Sequence, residues 1–124
     1  MKRWAFLSLT LLLVICMSSC GVPDFNGSRL GNDGKLVMEY SIFNTTDSQL
    51  FSLERGDVVS AEIVSESGSI NIVIQKDGDS PVYEEENVPT SSFQVKIAEG
   101  GTYRIAVTGQ RARGSVSFLR CSEA

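Results

Sequence analysis

The chain has 124 residues, a formal net charge of −4 and no histidine. This length suggests one domain, and a domain of about 90 residues buries only about 60–65% of the surface of its unfolded chain, which leaves little volume for a deep internal pocket. The acidic balance, without any cluster of Lys or Arg, excludes nucleic acid as a partner and excludes membrane attachment through a polybasic patch.

The N-terminal segment has the three-part plan of a secretory signal peptide. Lys2 and Arg3 precede a run of fourteen mostly apolar residues, 4–17, and small residues follow that run. A permanent transmembrane helix needs about 20 apolar residues, so this run is too short to span a bilayer. We therefore predict that residues 1–19 are a cleaved signal peptide.

The segment Met17-Ser18-Ser19-Cys20-Gly21 resembles the lipobox of bacterial lipoproteins, although that family usually has Leu where Met17 stands. A thiol is the side chain most readily alkylated with diacylglycerol, and small neighbours give the peptidase access to the bond before it. The resemblance implies a lipid on Cys20 that attaches the protein, outside the cytoplasm, to a bacterial cell membrane or outer membrane. The alternative is ordinary cleavage, which would leave Cys20 able to pair with Cys121.

Residues 20–34 are interpreted as the lipidated cysteine and a flexible tether, because residues 21–34 are rich in Gly, Asn and Asp and show no apolar period.

From residue 35 the apolar period is two, and Gly, Pro, Asn and Asp punctuate short segments. Over residues 35–124 we therefore predict an all-β fold, an antiparallel, jelly-roll-like β-sandwich of about eight strands without helices. The candidate strands are Lys35 to Phe43, Gln49 to Leu53, Asp57 to Val64, Ser69 to Gln75, Pro81 to Glu85, Ser92 to Ile97, Thr102 to Thr108 and Ser115 to Arg120.

Alternation within these segments predicts which side chains are buried. Ile70, Ile72 and Ile74 share one face of their strand, and polar residues share the other. Strands with one wet face are typical of antiparallel sheets, and two such sheets packed face to face bury all the apolar faces at once. The core is predicted to contain Val59, Ala61, Ile63, Ile70, Ile72, Ile74, Phe93, Val95, Ile97, Tyr103, Ile105 and Val107.

Turn residues predict where the strands end. Ser67-Gly68, Asp77-Gly78, Gly100-Gly101 and Arg113-Gly114 supply the positive φ angles that tight reversals need. Pro81 lies at the start of the weakest candidate strand, which is therefore predicted to be an edge strand.

The order INIVIQKDG, VYEEEN, SSFQVKIAEGGTYRIAVTG and GSVSF, with its Gly101-Thr102-Tyr103 strand start and closing Gly-rich hairpin, resembles the compact jelly rolls of bacterial pre-peptidase C-terminal domains and of Golgi-dynamics lumenal domains. The resemblance implies a non-catalytic role in adhesion, substrate attachment or sorting. Those families provide no catalytic residues to transfer to this chain.

Four carboxylates form the candidate metal site. Asp77, Asp79, Glu84 and Glu86 could meet at one end of the sandwich, where hard oxygen ligands would suit Ca²⁺. Their spacing differs from that of an EF-hand loop, and an acidic hairpin kept soluble by its charge explains the same residues. No apolar pocket is signalled around Glu84 and Glu86, so a catalytic acid–base pair is not predicted, and no other cofactor is.

Arg111 and Arg113 form a candidate recognition tip whose charge is opposite to that of the whole domain, so it could meet an acidic partner or a wall polymer. Tyr83, in the predicted edge strand, is the one aromatic residue predicted to be an exposed binder. Surface hairpins also carry arginine simply for solubility.

These features favour a non-enzymatic binding module that engages a protein or envelope polymer through its loops or an edge strand. The alternative is a structural accessory subunit whose partner covers an open sheet edge. A hydrolase is disfavoured, because the chain has no histidine and no nucleophile with a base at a recognisable spacing.

Overall fold

The computed structural model describes residues 24–122, and all the regular structure in that range is β-strand. The signal peptide and Cys20 lie outside the described residues. The strands pair only in antiparallel fashion, so the predicted all-β fold is confirmed. They are β1 (Phe25–Asn32), β2 (Lys35–Phe43), β3 (Thr46–Leu53), β4 (Val58–Lys76), β5 (Pro81–Glu85), β6 (Ser91–Lys96) and β7 (Gly101–Cys121).

Two long strands, β4 and β7, organise the fold. They pair along almost their whole length, and the register shifts lie between residues 65 and 69 of β4, which face residues 110–114 of β7. Such irregularities bend a strand and let it pass from one layer of a sandwich to the other. We call residues 65–69 and 110–114 the spine, because the sheet folds over there, and we call the opposite end of the sandwich the distal end.

Glycine permits the close approach of the two strands at the spine. Gly68 has a φ of 71° and Gly114 has a φ of 144°. A methyl group at Gly68 would collide with the carbonyl oxygen of Arg111, and one at Gly114 would collide with the carbonyl oxygen of Val64. Both positions therefore require a residue without a Cβ atom.

The bend divides the seven strands into two layers. The five-stranded layer has the order β1-β2-β7-β4-β6 and uses the C-terminal half of β7 with the N-terminal half of β4; the four-stranded layer has the order β3-β7-β4-β5 and uses the other halves. All eight predicted segments are present, and they pair as in a jelly roll. The strand count differs because Ser67-Gly68 and Arg113-Gly114 are bends within continuous strands rather than reversals between strands.

The core lies between the two layers. Ile70, Ile72 and Ile74 are buried as predicted, and the largest fully buried side chains are those of Phe43 and Phe51, with Phe118 from β7. The other side chains predicted to face inward are also buried, except for Phe93, which is partly buried and packs against the core.

The prediction of a flexible tether is wrong for residues 25–32, which form β1. This strand pairs with β2 along its length, and the ring of Phe25 packs edge-on against Phe43 with 5.8 Å between ring centroids. Most of the β1 side chains are exposed, so no apolar period marks the strand in the sequence. The folded domain therefore includes residues before Lys35.

Arg29 closes one side of the sandwich, where β1 and β3 meet. Its Nε donates a hydrogen bond to Asp47 Oδ2 at 2.7 Å, and its Nη2 donates to the Ser48 carbonyl at 3.1 Å and to Gln49 Oε1 at 2.9 Å. These bonds span two strands that belong to different layers. The guanidinium therefore covers backbone groups that an open edge would expose.

Asp57 joins three elements at the distal end and is the one buried charged side chain found among residues 24–122. Its Oδ2 accepts hydrogen bonds from the Glu54 amide at 2.8 Å and from Arg120 Nε at 2.9 Å. Its carbonyl oxygen accepts the Ile97 amide at 2.8 Å. Through its carboxylate and its carbonyl oxygen, this one residue connects the β3–β4 turn to the ends of β6 and β7.

The core assignment predicts that Ile72→Ala lowers the free energy of unfolding by about 2–5 kcal/mol, because it removes a fully buried side chain and leaves a cavity. Val73→Ala is the matched control, since its side chain lies on the outer face of the same strand. Urea denaturation measures both values. Equal losses for the two variants would contradict the assigned faces.

The Asp57 network predicts that Asp57→Ala lowers the free energy of unfolding by about 2–3 kcal/mol, because charged and backbone donors lose their partner in a buried place. Asp47→Ala breaks the partly exposed pair with Arg29 and is expected to lower it by about 1 kcal/mol or less. Chemical denaturation of both variants tests the difference. A larger effect at Asp47 would overturn this ranking.

Candidate interaction surfaces

The structure does not bring the four predicted metal ligands together. Asp77 and Asp79 lie in the β4–β5 turn at the distal end, Glu84 lies opposite Val73 within β5, and Glu86 follows the end of that strand. An extended strand advances about 3.3 Å per residue, so the turn and Glu86 are separated by about 20 Å. Among the described residues, no three Asp, Glu or Cys side chains are grouped so that they could hold a metal ion.

Tyr83 is half-buried, so its predicted full exposure is wrong, and its role as a binder stays a prediction. Its ring stacks on Phe93 with 4.5 Å between centroids and 12° between planes, and its hydroxyl donates a hydrogen bond to the Glu85 carboxylate. Burial, together with that hydrogen bond, raises the pKa of Tyr83 to about 12. The stack closes the side of the sandwich where β5 faces β6.

Arg111 and Arg113 both lie at the spine, within one continuous strand rather than at the tip of a hairpin. Arg111 has a φ of 49°, and its amide donates a hydrogen bond to Asn44 Oδ1 at 3.0 Å. Arg113 Nε lies 3.6 Å from Glu66 Oε2, and these side chains are 63% and 59% exposed. Such an exposed pair contributes little to stability. Arg111 is exposed as well.

An ion pair that the sequence did not reveal lies at the distal end. Lys76 Nζ is 2.8 Å from Glu99 Oε1, and the Tyr103 hydroxyl donates a hydrogen bond to the Glu99 carbonyl oxygen. The bond between the side chains raises the pKa of Lys76 and lowers the pKa of Glu99. The residues come from β4 and the β6–β7 connection, so no local spacing could have predicted the pair.

An apolar stripe crosses the outer face of the five-stranded layer. Leu30 lies opposite Val37, Leu119 is diagonal to Val37 across the β2–β7 pair, and Val58 is diagonal to Leu119 across the β7–β4 pair. Leu30 is 58% exposed and Leu119 is 40% exposed. We call these four residues the apolar stripe. Runs of two or three apolar residues, such as Val58-Val59 and Phe118-Leu119, are the sequence signal that could have predicted it.

Cys121 lies beside the stripe. It is the last residue of β7, it stands directly opposite Val58, and its thiol is free and exposed. The outer face of the five-stranded layer therefore combines aliphatic side chains with an accessible sulfur atom.

The outer face of the four-stranded layer is polar by comparison. The Thr46 and Thr108 hydroxyls share a hydrogen bond of 2.9 Å, and Arg104 Nη1 donates to Ser48 Oγ at 3.3 Å. Leu50, which is 43% exposed, lies on this face. Many of its polar groups therefore bond to each other, and the two outer faces differ in chemistry.

The sheet edges also differ. β5 is an edge strand as predicted. Its proline, Pro81, and its glutamates discourage the pairing of a further strand with this edge. Among the described strands β6 pairs with β4 alone, and residues 91–95 contain neither proline nor charge. Since Ile97 bonds to the β4 side through both its amide and its carbonyl, strand alternation directs the backbone groups of Gln94 away from β4.

In the part of the chain from residue 24 to residue 122, no helix has the length and apolar character needed to cross a membrane.

No family model and no curated protein matches this sequence. The fold is similar to that of a CBM4 protein, at 14% identity, with coverage of 82% of this chain and 77% of the other, and a TM-score of 0.42. It is similar to Aeromonas hydrophila PliG, a periplasmic inhibitor of g-type lysozyme, at 15% identity, with coverage of 82% and 91% and a TM-score of 0.48. It is also similar to TmCBM61, solved with beta-1,4-galactotriose, at 18% identity, with coverage of 78% and 70% and a TM-score of 0.42.

These likenesses are distant and concern the chain fold alone. The strand pairing itself shows that residues 24–122 form an all-β, antiparallel sandwich domain. The resemblance to pre-peptidase C-terminal and Golgi-dynamics domains gains no support from a family match, although the sandwich that it implied is present.

The distal ion pair predicts a pH-dependent stability. A carboxylate whose pKa is lowered by folding stabilises the fold above its ordinary value of 4.5, and that stabilisation is lost as the pH falls through the pKa of the folded state. Glu99→Gln should therefore melt below the parent at neutral pH, and the difference should shrink as the pH is lowered below 4.5 and through the pKa of the folded state. Thermal melts across this range measure it, with Glu84→Gln on the outer face of β5 as the control. A pH-independent difference would contradict the ion-pair assignment.

Proposed function

We propose that this protein is a non-enzymatic binding module, held outside the cytoplasm at a bacterial membrane by a lipid on Cys20, that engages a protein through its apolar stripe. The stripe carries the proposal. Within residues 24–122, three of the five exposed large apolar side chains, Leu30, Val64 and Leu119, lie on this one face. Exposed apolar patches on a soluble domain commonly mark interaction sites.

The chemistry of the stripe favours a protein over an envelope polymer. Its side chains are aliphatic, and no aromatic side chain in the described range is exposed, so a flat platform for stacking sugar rings is missing there. Residues 24–122 contain nine basic and fourteen acidic side chains, a balance that repels anionic polymers. An apolar protein surface fits these properties better.

The lipobox supports the membrane attachment. The mature chain has no basic cluster that could hold it at an anionic surface, so attachment rests on the lipid of Cys20. Mass spectrometry of the mature protein tests this part of the proposal directly. An unmodified Cys20 would overturn it.

The stripe predicts that Leu119→Asp and Leu30→Asp weaken partner capture by at least about tenfold each, because a charge buried in an apolar contact loses its solvation. Leu50→Asp is the matched control, since its exposure is similar but it lies on the other layer. The measurement is photo-crosslinking in native membranes from a probe placed at Val37. Equal capture by Leu119→Asp and Leu50→Asp would rule out the stripe as the binding surface.

The unprotected edge of β6 favours a second candidate, a structural accessory subunit whose partner adds a strand there. Gln94→Pro would remove an outward-pointing amide and block strand addition without changing the stripe. Loss of the partner in Gln94→Pro, with normal capture by Leu119→Asp, would favour this alternative.

A further inference from the structure

We infer that the spine of the sandwich faces the bilayer, with Arg111 and Arg113 against the phosphates of anionic phospholipids, and that the distal end points away from the membrane. This inference rests on the proposed lipid at Cys20. Its structural basis is the position of Asp24 and Phe25, which follow Cys20 by only a few residues and lie at the spine.

Hydrogen bonds hold the start of the described chain at the spine. The Asp24 carbonyl oxygen accepts the Asn44 amide at 2.7 Å, and Asn44 Oδ1 accepts the Arg111 amide at 3.0 Å. At the same end Phe25 pairs with Phe43. The first described residue is therefore two hydrogen bonds from Arg111.

Covalent geometry limits how far the domain can stand from the lipid. Five Cα–Cα steps separate Cys20 from Phe25, and each spans at most about 3.6 Å, so the spine lies within about 18 Å of the lipidated residue. The nine residues of β2 place the distal end about 30 Å further along the strands. The fourteen-residue flexible tether expected from composition would have let either end of the sandwich lie next to the lipid.

The charges at the spine favour an upright domain over one that lies on its side. Arg111 and Arg113 are exposed there, with the Glu66 carboxylate 3.6 Å from Arg113 and with Asp24 at the same end of the sandwich. Elsewhere the acidic excess of the domain is repelled by an anionic surface. Arginine binds phosphate through a planar fork of donors, and Glu66 at 3.6 Å is an exposed partner that a lipid phosphate can replace.

This orientation has a consequence for the proposed binding surface. The strands of the five-stranded layer would stand along the bilayer normal, with the apolar stripe facing sideways and its Val58 end uppermost. The stripe lies towards the distal end, since Val37 stands opposite Ser117 and Val58 stands opposite Cys121, so a protein partner would approach beside the distal half of the domain, away from the headgroups.

The test uses the full-length, lipid-modified protein with Cys121→Ser, in vesicles with and without phosphatidylglycerol. A fluorophore is attached to Ser67→Cys at the spine, to Asp77→Cys at the distal end or to Glu62→Cys on the five-stranded face, and a headgroup-attached quencher reports proximity to the bilayer. We expect strong quenching at Ser67 and little at Asp77 or Glu62. Arg111→Gln with Arg113→Gln should reduce the Ser67 signal at least twofold in anionic vesicles and leave it unchanged in neutral ones.

Three results would contradict the inference while leaving the proposed lipid on Cys20 in place. Quenching at Asp77 as strong as at Ser67 would exclude the spine-down orientation, and strong quenching at Glu62 would mean that the domain lies on its five-stranded face. An unchanged Ser67 signal for the double arginine variant in anionic vesicles would contradict the proposed contact between the arginines and lipid phosphates. An unmodified Cys20, found by mass spectrometry of the same sample, would instead defeat the proposed membrane attachment.

Discussion

The close backbone approach of β4 and β7 at the spine is the constraint on which the rest of the structure depends. Every other strand except β1 pairs with one of these two, so their bend decides which strands fall in which layer. Gly68 and Gly114 allow the bend because a Cβ atom at either position would meet a carbonyl oxygen of the opposite strand. The core then forms between two layers that share their central strands.

The bend also shifts the face that each strand buries. In β4 the buried residues change from odd positions, such as Ile63, to even positions, such as Ile70, and in β7 they change from Val107 to Ala112. An extra residue at a bulge produces this change of parity, since side chains alternate with a period of two. The sequence therefore predicts the buried faces correctly before and after the bend in each strand. In the apolar pattern, however, a switch from odd to even buried positions looks the same whether a bulge or a turn causes it. For this reason the apolar pattern predicts two separate strands where the structure has one continuous, bent strand.

What the sequence could not predict depends on partners distant along the chain. β1 exposes most of its side chains and is held by pairing with β2, so its composition resembles that of a linker. Asp57 is buried because Arg120 reaches it from β7, and neither residue carries a local signal of that contact. The acidic side chains of the β4–β5 hairpin are close in sequence, but the extended strand β5 separates Asp77 and Asp79 in the turn from Glu86. Tyr83 and Phe93, by contrast, are distant in sequence and stack.

The size of the domain limits how strongly it can bind through one face. The outer face of five strands spaced about 4.8 Å apart, each about seven residues long, covers about 500 Å². A stable protein–protein interface buries about 800 Å² on each partner, so the apolar stripe and its surroundings suit a weak contact unless the β6 edge also takes part. Confinement to a membrane surface raises the effective concentration of two partners held there, and a weak contact can then suffice. On this argument the lipid is part of the proposed recognition, since without it the face alone would hold a partner only transiently.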